Sequence, residues 1–199
     1  MATFPIRTFG DPVLKQRCSE ITEIDGSLAR LADDMIETMY AAPGVGLAAN
    51  QVGIQRRIFV YDAGDGPHVV INPTVVEMSE EWHYEEGCLS VPGLYFPIAR
   101  PRKVTLTGLD LDGREFTQVG EDLLGRIFLH ETDHLDGSLL LDRLDPDTRK
   151  KAMQWLRRED TGGGSPRRAP DAPRVVISGD TPSPGGAGES RHPGLGAGH

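Results

Sequence analysis

Apolar residues recur at helical spacing from residue 28: Leu28, Leu31, Ala32, Met35, Ile36 and Met39 fall three or four apart. That spacing predicts one helix with a single buried face, and Asp25 or Ser27 just ahead supplies an N-cap. Further on the period shortens. Ile58–Tyr61, Val69–Ile71, Val75–Met78 and Val104–Leu111 read as strands. Asp112-Gly113 is a hairpin turn signal that leads into a strand over Arg114–Val119. Leu123, Leu124, Ile127, Phe128 and Leu129 then predict a buried helix from about Asp122 to Leu135. Pro146, placed near a first helical turn, opens a last helix that runs to Arg157. Strands joined mainly as hairpins around a central helix imply an α+β fold built on antiparallel sheets, not a wound parallel sheet.

The periodicity stops near residue 160. Gly162-Gly163-Gly164-Ser165-Pro166 opens a stretch of Gly, Pro, Ser and Arg in which Val175-Val176-Ile177 is the one apolar run. So little apolar surface cannot offset chain entropy, so residues 161–199 are expected to form a disordered tail. Residues 1–160 are long enough for one domain with a substantial core. The formal net charge is −9, and the tail holds four Arg and three acids, so the acidity belongs to the domain. An acidic domain argues against a general or sequence-specific nucleic-acid binder, which needs cations to neutralise phosphates. Arg149-Lys150-Lys151 and Arg157-Arg158 read as solvated helix faces, although their charge would also suit a transient ribosome contact. The start Met1–Pro5 lacks a basic region and an apolar run, so neither a signal peptide nor membrane association is expected. Two cysteines make no disulfide framework, and a cytoplasmic location follows.

Chemistry enters at His130-Glu131-Thr132-Asp133-His134. On a helix, positions i and i+4 share a face, so both imidazoles can reach one cation with Glu131 beside it as a general base. A catalytic site of this kind needs a third protein ligand and one open position. Leu140 stands where a metzincin would place its third histidine. The only later glutamates, Glu159 and Glu189, sit at the edge of the tail or inside it, which weakens a thermolysin-like reading. Upstream, Cys88 offers a thiolate, a strong ligand for zinc and ferrous iron. Cys18 has no supporting context and reads as a small buried hydrophobe. His68, His83, His192 and His199 are taken as non-ligands. Gly44-Val45-Gly46-Leu47-Ala48-Ala49-Asn50-Gln51 is expected to be a loop carrying a polar amide toward some site; it lacks the ending of a phosphate loop.

Three elements in this order, GVGLAANQ at 44–51, EGCLS at 86–90 and HETDH at 130–134, resemble the signature motifs of the peptide deformylase family. The likeness covers roughly residues 5–158 and extends to Leu135-Asp136-Gly137 and Asp142-Arg143. It implies hydrolysis of the N-formyl group from nascent polypeptides that begin with formyl-methionine, with release of formate. It also implies a divalent metal held by Cys88, His130 and His134, native Fe(2+) being replaceable by Zn(2+), Ni(2+) or Co(2+). Glu131 would be the base, and Gln51 with the backbone N–H of Leu89 would stabilise the oxyanion. Val45, Tyr84, Leu123 and Ile127 would border the methionine pocket, and backbone groups of Val45, Gly46 and Gly87 would pair with the peptide. Glu86 and Arg100 would form a structural ion pair, although Arg102 nearby leaves two candidates for Glu86.

Two other readings compete. A zinc endopeptidase would share HExxH alone. A metal-stabilised module that binds the ribosome or another protein without turnover would need a fourth protein ligand, and none lies in these motifs.

Overall fold

In the computed structural model, which describes residues 2–161, the fold is α+β: three helices packed on one five-stranded antiparallel sheet. The tail expected at 161–199 lies, beyond Thr161, outside the described residues. Helix α1, Gly26–Ala41, is capped by Asp25, whose Oδ1 accepts from the N–H groups of Ser27 and Leu28, both at 3.0 Å. These bonds satisfy donors that the first turn leaves open. Its buried stripe is Leu28, Ala32, Met35 and Met39. The stripe packs with Leu47, Ile58, Val60 and Ile71 from the sheet, while Leu31 and Ile36 flank it half-buried.

The strands are β1 Gly46–Ala48, β2 Ile58–Tyr61, β3 His68–Cys88, β4 Val91–Leu109 and β5 Glu115–Glu121, paired in that order. Two expectations need correction. The segment 44–51 is more than a loop: its centre is the edge strand β1, with Gly46 opposite Tyr61, and a 3-10 turn over Ala49–Val52 follows. Gly and Ala carry almost no strand signal, so pattern alone could not show it. The pieces at Val69–Ile71 and Val75–Met78 are parts of one 21-residue strand. Asn72, with φ 49°, and the register shift between Ile71 and Thr74 explain the apparent break. Beyond it, Glu81, His83 and Glu85 turn outward while Trp82, Tyr84 and Glu86 turn inward. The inward set ends in a carboxylate, which hides the alternation. In β4, Pro92, Pro97 and Pro101 argue against a strand, but β5 joins only from Lys103 onward. Along the stretch 91–102 that edge of β4 has no strand partner among the described residues, so a proline whose nitrogen faces it costs no ladder bond.

The turn Asp110–Arg114, with Gly113 at φ 76°, returns the chain into β5. Helix α2, Leu123–Leu135, then crosses the sheet and buries Ile127, Phe128 and Leu135 against Phe59, Tyr61, Val104 and Leu106. Helix α3, Pro146–Thr161, sets Ala152 and Leu156 against Leu140, Leu141, Val91 and Leu94, a third cluster that includes Cys88. Among the described residues, no helix is long and apolar enough to cross a membrane.

Candidate functional site

The end of the β3–β4 hairpin meets the middle of α2. Cys88 is the last residue of β3, opposite Val91, with Leu89 and Ser90 forming the turn. His130, Glu131 and His134 project from α2 and are buried. Nε2 of His134 lies 3.2 Å from Nε2 of His130 and 3.1 Å from Cys88 Sγ. The three donor atoms all fall within 4.8 Å of one another. A tetrahedral site with bonds near 2.0–2.3 Å sets neighbouring donors about 3.3–3.6 Å apart, so one divalent cation fits with little movement. Chemistry points the same way, since among the described residues a thiol and two imidazole nitrogens converge with no carboxylate joining the group.

Glu86 organises what lies behind these donors. It faces inward from β3 two residues before Cys88 and is fully buried. Arg100 of β4 grips it from two nitrogens, Nε to Oε2 at 2.7 Å and Nη2 to Oε1 at 2.6 Å. His130 Nδ1 shares Oε1 at 2.7 Å, which aims Nε2 of that ring at Cys88 and His134. A carboxylate on the far nitrogen is the usual device for orienting a metal-binding imidazole. Arg102 bonds Asp122 instead, with Nε to Oδ1 at 2.6 Å. Burial by itself would raise the pKa of Glu86, but the charge of Arg100 and the bonds from His130 and Arg100 outweigh it and hold the carboxyl below its ordinary range. Burial also opposes a charged His130, yet Cys88 and Glu86 overcome it and lift its pKa well above the usual value. His134 is driven the other way by burial and by His130, which favours its neutral imidazole, with a lone pair on one ring nitrogen.

Glu131 sits against β1. A Cβ built on Gly46 would meet Glu131 Oε1 at 2.3 Å, so only glycine leaves the carboxyl its place. Glu131 Oε2 is buried without a hydrogen-bond partner among the described residues. Burial pushes its pKa up to about 7, which suits a group that both takes and returns a proton near neutrality. Gln51 is held at both ends of its amide: Oε1 accepts from Ala48 N at 2.9 Å, and Nε2 donates to Ser90 Oγ at 3.2 Å. Its Nε2 thereby faces the cysteine turn, 3.9 Å from Cys88 Sγ. Leu89, half-buried in that turn, approaches the β1 side: a Cβ on Gly44 would meet its Cδ1 at 2.9 Å.

Of the expected pocket residues, Ile127 belongs to the core cluster under α2, and Val45 and Leu123 pack half-buried against it. Tyr84 is stacked on Trp82. Gly87 lies opposite Tyr95, and a Cβ there would strike the Tyr95 ring at 2.3 Å, so its backbone stays closely covered on that side. Four side chains gain roles that the motifs did not suggest. Ser90 holds Gln51, and Asn50 Nδ2 donates to the carbonyl of His134. Asp133 accepts from Arg100 at 2.9 Å and from Arg143. Arg126 donates to Glu86 at 2.8 Å. Only Arg126 left a trace in the sequence, as a charge set within an otherwise apolar run one turn before His130.

Comparison with known proteins places the chain. Residues 3–150 match the family model described as polypeptide deformylase. The peptide deformylase of Acidothermus cellulolyticus is 46% identical over 167 residues, covering 84% of this chain and 93% of that protein. That of Clostridium botulinum is 50% identical over 143 residues, covering 72% and 97%. The crystal structure of a peptide deformylase from Legionella pneumophila superposes with a TM-score of 0.77 at 39% identity, covering 80% of this chain and 96% of that one. The Ehrlichia chaffeensis enzyme in complex with actinonin gives 0.78 at 36% identity, covering 81% and 100%. Fold, motif order and identity across the described domain agree, and the chain belongs to the polypeptide deformylase family.

Proposed function

We propose that the chain removes the N-formyl group from nascent polypeptides that begin with formyl-methionine, releasing formate, with Cys88, His130 and His134 holding one divalent cation. The observation that carries this reading is the convergence of one sulfur and two Nε2 atoms within 4.8 Å, with a carboxylate beside them on Glu131 whose buried Oε2 has no partner among the described residues. A divalent cation in such a site supplies Lewis acidity and lowers the pKa of water to about 7. Glu131 takes the proton of the attacking water and delivers it to the departing amine nitrogen. Gln51 Nε2 and the Leu89 N–H receive the negative charge that grows on the formyl oxygen. Val45, Leu123, Ile127 and Tyr84 border the space for the methionine side chain, and the backbone of Val45, Gly46 and Gly87 pairs with the peptide as an added strand. Glu86 and Arg100 keep the cysteine turn and His130 in register. Thiolate with two imidazoles suits ferrous iron as the native metal and admits zinc, nickel or cobalt. The reducing cytoplasm, where peptides are made, would protect such a thiolate.

The test is formate release from a formyl-Met peptide by protein purified anaerobically, with metal content measured on the same sample. We expect turnover that a chelator abolishes and that added metal restores, and no cleavage of an unformylated internal peptide bond. Glu131→Ala is expected to keep the metal and lose hydrolysis. Near-native activity in that variant would remove the proton-shuttle role, whereas cleavage of internal bonds would favour an endopeptidase.

A further inference from the structure

Arg126 stands one helical turn before His130 on the same side of α2 and is buried. Its guanidinium makes three directed contacts from two nitrogens. Nη1 donates to Glu86 Oε2 at 2.8 Å and to the Ile98 carbonyl at 3.2 Å, and Nη2 donates to the Trp82 carbonyl at 3.1 Å. The group also lies over two aromatic rings, 5.0 Å from the centre of Trp82 and 5.8 Å from that of Tyr84. Those rings are stacked on each other at 4.6 Å. Arg100 already grips both oxygens of Glu86, and it also bonds Asp133, which takes a second cation from Arg143. A further buried cation on Glu86 carries a desolvation cost that its directed contacts must offset.

We infer that Arg126 is a positioning residue, acting through Glu86 on His130 and through the Trp82–Tyr84 stack on the wall of the substrate site. The inference rests on the metal-centre reading above. Arg126 and Arg100 together fix Oε2 of Glu86, so the carboxyl plane cannot turn and Oε1 stays aimed at His130 Nδ1. The ring of His130 is thereby locked with Nε2 toward the other two donors. The same guanidinium ties the Trp82 backbone and both ring faces to α2. Tyr84, from the next inward position of β3, is held beside the guanidinium of that helix. One side chain thus couples the orientation of a ligand to the shape of the pocket beside it. Lysine could keep the charge at Glu86 but could not also span Ile98, Trp82 and the two rings, because its ammonium is a compact group without a planar fork.

Cobalt(II) alone is the probe, applied to the purified full chain and to Arg126→Met and Arg126→Lys. Affinity is read by competition with a chelator, and the visible spectrum of the cobalt form reports the ligand field. Arg126→Met is expected to lose affinity by about 10–100-fold and to shift the spectrum, the usual size of an effect from beyond the ligands themselves. Arg126→Lys is expected to recover most of that affinity, while both variants lose preference for formyl-Met over formyl-Leu peptides. A folded Arg126→Met with native affinity and spectrum overturns the inference, and so does Arg126→Lys if it binds cobalt no better than Arg126→Met. Should Arg126→Met fail to fold, Arg126→Gln takes its place under the same criteria. A native chain that takes up no cobalt would instead sink the metal-centre reading itself.

Discussion

Arg100 and Arg102 lie two residues apart on β4, and each holds a carboxylate, yet they occupy opposite physical regimes. The side chain of Arg100 is 1% exposed and that of Arg102 is 50% exposed. Where Arg100 stands, opposite Trp82, β4 runs beneath α2 and between Glu86 and Asp133. One residue past Arg102, β5 joins the sheet and the neighbouring side chains reach water. The difference shows that the environment, not the pairing, decides what an ion pair contributes. In the buried cluster every charge depends on its partner, because removing one leaves another stranded in a medium that screens it poorly. At Arg102, water and salt can take over the partner's task.

Breaking each side of that contrast should give effects of very different size. Arg100→Leu is expected to cost about 3–5 kcal/mol of folding stability, since Glu86 and Asp133 would both lose a buried cation. Urea unfolding would measure it, and a loss indistinguishable from that of a surface mutation would mean that water enters the cluster. Gln51→Ala sharpens the comparison from the neutral side. It removes a buried polar group that is not part of the charge cluster, so the expected loss lies in rate, about 10²–10³ in kcat, with metal content unchanged. Native turnover in that variant would take the Gln51 amide out of the mechanism. Arg102→Ala should be the smallest effect. The unfolding midpoint and kcat are expected to match those of the native chain, and raising the ionic strength should leave the native midpoint unchanged so far as this pair is concerned. A clear drop in either quantity would show that Arg102 supports the hairpin through more than its bond to Asp122.

How much of this was legible in the chain depended on whether a position obeyed its period. Helix α1 and strand β2 follow simple apolar rhythms, and the structure places them at Gly26–Ala41 and Ile58–Tyr61, within a residue or two of the pattern. The second half of β3 was not legible because Glu86 stands at a core-facing position and three glutamates crowd its neighbours. The early part of β4 was hidden by prolines that only an unpaired edge tolerates. Within the site, HETDH announced itself through helical spacing. The place of Cys88 rested on likeness to a family, since nothing in residue spacing joins it to a helix 42 positions downstream. Glu86 had two arginines within reach in sequence, and only the register of β4, with Trp82 opposite Arg100, separates them. Ser90 and Asn50 act through single hydrogen bonds from ordinary surface-type residues, and no compositional rule marks such a role.

The sharing of donors between a strand end and a distant helix has a consequence for how the molecule matures. Cys88 and His134 are 46 residues apart, and neither the hairpin nor α2 presents more than part of the donor set. An emerging chain therefore offers the Cys88 thiol, then two imidazoles, but not all three donors together until the helix has docked across the sheet. On the proposed reading, cation capture would be a late checkpoint of assembly, sealing the tertiary arrangement only after it has been reached by other forces.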